Sequence, residues 1–312
     1  MSNYFSNYFS NFFLNPCFIR VSSVAALLLV AQATYADDPV PYEQKQDVVY
    51  GEVHGTGLLM DIFQPIGKAN GLGIVDVVSG AWYSDRNKIR DHTMAQFYSV
   101  FCSRGYVVFA ARPGSKTRYT AAEMDQHVKM AIRYVKEHAH DYKVDPKRLG
   151  ITGASAGGHL ATLAALTPTV ENPEAKRSVE RHDSKVAAVA VFFPPTDFLD
   201  WSDGKMLDLN VLAPLLFVGG SHTHTDQEIR TAAKAVSPLH RVTSVSFPTL
   251  LIHGDADRLV PLSHSEKLVA AIKKAGGEVE LIVKPGGGHP WLTIPEEVRV
   301  MADWFDKKLA QQ

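Results

Sequence analysis

What most constrains this chain is an alternation of two kinds of apolar pattern. Six runs of strand length, GLGIVDVVSG, GYVVFAARPG, RLGITGAS, KVAAVAVFFPP, FPTLLIHGD and EVELIVKPGG, each close on or near Gly, Pro, Ser or Asp. Between them lie amphipathic stretches, among them MAQFYSVFCSR, AAEMDQHVKMAIRYVKEHAH, SHSEKLVAAIKKAG and EEVRVMADWFDKKLAQQ. Continuous apolar runs mark strands buried on both faces, whereas Met124, Val128, Ala131, Ile132 and Val135, recurring at three- and four-residue steps, mark a helix with one buried stripe. Strand and helix in alternation predict an α/β fold, a mostly parallel central sheet of about eight strands with helices on both faces. Ahead of this rhythm, QDVVYGEV and LLMDIFQP flank the turn-prone His54-Gly55-Thr56-Gly57 and predict an antiparallel pair.

The 312 residues, 46% of them hydrophobic, suffice for one large core, and residues 37–312 are expected to form one domain. From about 198 to 243 the rhythm breaks into DWSDGKMLDLN, VGGSHTHTDQ and SPLHR, which reads as a small cap or lid insertion between strands. A formal net charge of −1, with no basic stripe, leaves no electrostatic footprint for a nucleic acid.

The first 36 residues read as a signal peptide. No acidic residue precedes Asp37, and Arg20 is followed by the apolar run VSSVAALLLVA, too short for the roughly 20 residues that span a bilayer. Cleavage is expected after Ala36, with the site after Ala31-Gln32-Ala33 as the alternative; the mature protein is then expected to be exported and free of the membrane. Beyond that leader, which holds Cys17, the one cysteine is Cys102, on an apolar stretch that suits a buried small hydrophobe better than a nucleophile.

The chemistry is carried by Gly153-Ala154-Ser155-Ala156-Gly157. Gly-x-Ser-x-Gly arises by chance in about one chain of this length in ten, so the pattern alone decides little. Its placement does: it follows the strand RLGIT and opens the helix GGHLATLAAL. Such a sharp strand-to-helix turn lifts a serine hydroxyl clear of the sheet and puts the next amide, that of Ala156, at a helix N-terminus that favours a developing oxyanion. The lysine that a phosphate-binding loop would need is absent. A serine nucleophile requires a histidine base and a carboxylate to hold it, in this fold in the chain order Ser, Asp, His. His289, in the glycine-rich loop KPGGGHPW, is the candidate base, and Asp255 and Asp257, in HGDADRLVP, are both candidate acids. His253 and His159 read as packed scaffold residues. His222, His224 and Asp226 read as part of a surface loop rather than a metal site.

The block from Arg118 to Ala161, SPLHRV, HGDADRLVP and GGGHPW together resemble the α/β-hydrolase esterases related to the bifunctional feruloyl and acetyl xylan esterases, over about residues 48–309. That family's His-Gly-x-x-Asp-x-x-Val-Pro pattern falls on His253 to Pro261, and the resemblance therefore assigns the acid to Asp257. It implies a Ser155-His289-Asp257 triad that cleaves carboxylic esters through an acyl-enzyme without metal or organic cofactor. With export, it implies acetyl or feruloyl esters on carbohydrate as substrates. The family's oxyanion loop His-Gly-Gly-x-Trp is replaced here by Val78-Ser79-Gly80-Ala81-Trp82; because oxyanion donors are backbone amides, Gly80 and Ala81 remain candidates alongside Ala156. Trp82 and Trp291 are candidate substrate contacts, with core packing as the alternative for each. A prolyl oligopeptidase-like peptidase and a noncatalytic binding protein on the same scaffold are the rival readings.

Overall fold

The computed structural model describes residues 41–310; the expected leader, 1–36, lies outside the described residues. The described residues open with two long strands, β1 (Tyr42–Val53) and β2 (Thr56–Pro65), paired antiparallel. His54 and Gly55 alone connect them, both with positive φ (51° and 72°), the two-residue turn whose twist matches that of a hairpin. The turn is thus shorter than the four turn-prone residues suggest, since Thr56 and Gly57 already pair with β1.

Then follow β3 (Gly73–Val77), α1 (Arg86–Met94), α2 (Phe97–Ser103), β4 (Val107–Ala111), α3 (Ala121–Glu137), β5 (Leu149–Ala154), α4 (Ala156–Leu166), β6 (Ala188–Phe192), α5 (Leu209–Leu216), α6 (Asp226–Val236), β7 (Thr249–Gly254), α7 (Ser263–Lys274), β8 (Val279–Lys284) and α8 (Ile294–Ala310). The eight strands found among the described residues form one open sheet in the order β1-β2-β4-β3-β5-β6-β7-β8, antiparallel at the β1–β2 and β2–β4 pairs and parallel across the rest.

Side chains alternate across each strand, so every strand feeds two cores. Val75, Val77, Phe109, Ile151, Val191 and Leu251 meet α3, α4 and α7 on one face. Ile74, Val108, Ala110, Ala190, Leu250 and Ile252 meet α1, α2 and α8 on the other. Burial on both faces is why these runs show no polar alternation. Helix α3 starts at a capping box, with Thr120 Oγ1 accepting from the Glu123 amide and the Glu123 carboxylate accepting from the Thr120 amide. All five residues of its predicted stripe are fully buried.

Strand β3 lies between β4 and β5, so the chain leaves β3 toward one edge of the sheet and returns to β5 on the other side. Loops leaving β3 and β5 therefore diverge and open a crevice at the carboxyl ends of the strands. The segment 198–243 carries α5 and α6 between β6 and β7. It is no loose flap: Phe198, Leu212, Leu215, Ile229, Ala233 and Val236 are buried in the same core as α3 and α4.

Phe305 of α8 is fully buried against Phe101 and Trp304, while Val300 of the same helix is 41% exposed. Phe305→Ala is expected to lower the stability to urea by about 3–5 kcal/mol, and Val300→Ala by no more than about 0.5 kcal/mol.

Candidate active site

Three loops at the carboxyl ends of the parallel strands build the site, and close backbone contacts set where each lies. Between β5 and α4 the chain turns at Ser155, whose φ of 54° and ψ of −120° few side-chain-bearing residues adopt. Such a conformation costs about 1–3 kcal/mol and persists only where its surroundings hold it. Here the Ser155 amide donates to Phe192 O (3.0 Å) and the Gly157 amide to Ser79 O (2.9 Å). A Cβ on Gly157 would stand 2.1 Å from Val77 O, and one on Gly153 2.5 Å from Gly157 C. Only glycine admits these approaches, which is the physical content of the Gly-x-Ser-x-Gly pattern.

Asp257 follows β7 and is buried. Its Oδ1 accepts the amides of Leu259 and Val260, both at 2.9 Å, and its Oδ2 lies 2.6 Å from His289 Nδ1. Burial alone would raise its pKa, yet hydrogen bonds from His253, His289 and the Val260 amide hold the carboxyl well below its ordinary value. Ionised Asp257 accepts Nδ1–H, which leaves Nε2 of His289 free to accept a proton, and that nitrogen lies 2.9 Å from Ser155 Oγ. The structure thus brings Ser155, His289 and Asp257 into one hydrogen-bonded chain. Asp255 is exposed and instead accepts the Gly286 amide at 2.7 Å, tying the β7 loop to the histidine loop. These two loops touch so closely that a Cβ on Gly254 would lie 2.1 Å from Gly287 O.

His253, expected as scaffold, and two residues with no expected role, Phe193 and His264, pack around this arrangement. His253 is fully buried, bonded through Nδ1 to Ser265 Oγ (2.7 Å) and through Nε2 to Val260 O (2.8 Å), with Nε2 3.4 Å from Asp257 Oδ2. Phe193 packs its ring 4.3 Å from that of His289. The fully buried His264 accepts the Thr196 amide at Nδ1 (3.1 Å) and donates from Nε2 to Trp201 O (3.1 Å). Phe193 and His264 carry no sequence signal, since their roles depend on contacts between remote segments.

Two expectations are corrected. Gly80 does not offer its amide to a substrate, because that N–H donates to Tyr83 O at 2.9 Å within a tight turn. The amides of Ala81 and Ala156 have no acceptor among the described residues, and Ser79 O on the Gly157 amide keeps their two loops together. Trp82 is not a substrate contact: it is 5% exposed, and its indole Nε1 donates to His159 Nδ1 at 3.1 Å. Trp291 is half-buried beside Phe192 and Phe193 and donates to Glu297 Oε2 at 2.7 Å, a fixed aromatic wall two residues past His289. His224 stacks on Phe217 and Asp226 opens α6. Among the described residues no group of three or more His, Cys, Asp or Glu is placed to hold a metal ion. Cys102 is buried, its thiol pushed up to about 12 by desolvation, which keeps it protonated and inert.

The sheet order, the turn at Ser155 and the loops that carry Asp257 and His289 define an α/β-hydrolase fold. A truncated carbohydrate esterase from gut microbiota superposes on it with a TM-score of 0.73 at 26% identity, covering 88% of this chain and 99% of that one. The sequence pattern of the BD-FAE family matches residues 60–272, more than half of the chain, and the chain belongs to that family. Among curated relatives, the probable carboxylic ester hydrolase LipM of Mycobacterium tuberculosis is 29% identical over 236 residues, 75% of this chain and 52% of LipM. Esterase LipQ of the same organism is 29% identical over 261 residues, 82% of this chain and 59% of LipQ. The chain thus spans between half and three-fifths of the length of these two relatives.

Burial holds His159 and His264 near pKa 4, against 6.5 for the free side chain. As the pH falls from 6.5 toward 4, the unfolded chain takes up protons that the folded one refuses, so each histidine removes up to about 1.4 kcal/mol of stability per pH unit. Urea midpoints measured between pH 7 and 4 are expected to fall on acidification, and to fall less steeply in His264→Gln, which has one buried histidine fewer.

Proposed function

We propose that this protein is an exported serine esterase that removes acyl groups, acetyl or feruloyl, from carbohydrate through an acyl-enzyme on Ser155. The observation that carries the reading is the unbroken chain from the Asp257 carboxylate through His289 to Ser155 Oγ, at 2.6 and 2.9 Å. Attack of Oγ on the ester carbonyl passes its proton to His289 Nε2, and Asp257 stabilises the imidazolium that forms. The carbonyl oxygen, now an anion, is met by the amides of Ala156 and Ala81. His289 then returns the proton to the departing alcohol oxygen, and a water deprotonated by the same nitrogen releases the acid.

Two amide donors make up the oxyanion hole of this reading, one donor being worth about 2.7–4 kcal/mol of transition-state stabilisation. The curated relatives LipM, a probable carboxylic ester hydrolase, and LipQ, an esterase, support esters over amides as substrates. The carbohydrate esterase from gut microbiota supports acylated carbohydrate as the substrate class. The short apolar run after Arg20 supports export, where such polymers are found.

Nitrophenyl acyl esters, acetylated xylan, methyl ferulate and dipeptidyl nitroanilides form a panel that tests this reading. Turnover of esters well above amides is expected, with release of acetate or ferulate from the carbohydrate substrates. Ser155→Ala is expected to lower kcat roughly a million-fold. Faster amide than ester turnover would favour a peptidase, and equal activity of wild type and Ser155→Ala would favour a binding protein.

A further inference from the structure

The turn that follows β3 is strained, and one buried histidine holds it. Gly80 and Tyr83 exchange both backbone hydrogen bonds at 2.9 Å, so only Ala81 and Trp82 make the bend. Their φ values are 49° and 60°, a left-handed pair that hairpin turns usually build from Asn-Gly. Side-chain-bearing residues without such local hydrogen bonding resist this conformation. The turn therefore needs fixing from outside. The Lys116 amide supplies one tie, donating to Trp82 O at 2.8 Å, and the Trp82 indole supplies the other.

That second tie is specific. Trp82 Nε1 donates to His159 Nδ1 at 3.1 Å, and His159 Nε2 lies 2.7 Å from Val236 O, the last residue of α6. The ring is fully buried, and Phe198 packs against both it and the indole. Accepting on one nitrogen while donating from the other requires the neutral imidazole with its proton on Nε2. His159 also lies one helical turn past the nucleophile, its amide donating to Ser155 O at 2.9 Å. One side chain thus joins the helix that presents Ser155 and the Ala156 amide, the turn that presents the Ala81 amide, and the inserted segment.

We propose that His159 is a positioning residue that, by accepting the Trp82 indole N–H and donating to the Val236 carbonyl, holds the Ala81 amide in register with Ser155. This rests on the esterase reading above. It assigns to the imidazole a share of transition-state stabilisation although it touches no substrate. Its loss is expected to slow the chemical step and to leave ground-state binding and the triad unaltered.

Trp82→Phe, His159→Leu and the double variant, compared with wild type on 4-nitrophenyl acetate, test this. Trp82→Phe removes only the donor and keeps the buried ring, so it carries the test if His159→Leu does not fold. Each single variant is expected to lose kcat by roughly ten- to a hundredfold, less than the 10²–10³ of deleting an oxyanion donor outright. KM should stay within about twofold, and the acid limb of the kcat/KM profile, which reports the triad base, should not move. The double variant should be no slower than the worse single one. Wild-type kcat in Trp82→Phe, a displaced acid limb, or multiplying losses in the double variant would overturn the proposal. A wild-type protein that turns over no ester would instead overturn the esterase reading, before any variant is compared.

Discussion

The buried carboxylate of Asp257 is the interaction on which the site depends. A charge without solvent survives only if enough donors meet it, and four do: the Leu259 and Val260 amides, His289 and, at longer range, His253. Because two of these are amides of its own loop, the loop after β7 is shaped around the charge. Because another is His289 Nδ1–H, the tautomer of that ring is decided before any substrate arrives. Ser155 Oγ then faces a nitrogen able to accept its proton, and the three loops become one device.

Backbone contact does the rest of the alignment. The absent side chains of Gly157 and Gly254 let α4 close on the end of β3, and the β7 loop close on the histidine loop. Strain is held at Ser155, Ala81 and Trp82, all of them at the crevice that the strand order opens. The ties that hold this strain reach into the inserted segment through Val236, so the insertion is as much a part of the site's framework as the sheet.

Much of this was legible in the sequence, for reasons that are local. The inner parallel strands, β3 to β7, are doubly buried and read as apolar runs, while the edge strand β8 is apolar in sequence yet part-exposed, and α3 shows its stripe because one face alone is covered. The meeting of Ser155 with His289 could be read from a serine flanked by glycines at a strand-to-helix turn and a histidine in a glycine loop. Asp257 over Asp255 could not be read from local pattern, because both stand at a strand end and only the resemblance separated them. What distinguishes them physically is the partner each finds, the Gly286 amide for Asp255 and His289 for Asp257. Gly80 and Trp82 differ from expectation because a loop's amides and rings can point either way: the Gly80 amide is taken by Tyr83 across a tight turn whose central residues, Ala81 and Trp82, carry no turn signal, and the Trp82 indole by His159, 77 residues away. The packing of α5 and α6 onto α3 was hidden by the polar loops that separate their short apolar stretches.

Whether His289 activates Ser155 can be read by covalent labelling. A fluorophosphonate reacts with a serine whose hydroxyl is activated by a neighbouring base, and peptide mapping by mass spectrometry locates the adduct. A Ser155 hydroxyl activated by His289 predicts stoichiometric phosphonylation of the peptide containing Ser155, and a labelling rate that collapses in His289→Ala. A wild-type protein that stays unmodified while a control esterase is fully labelled, or an adduct on another residue, would contradict it.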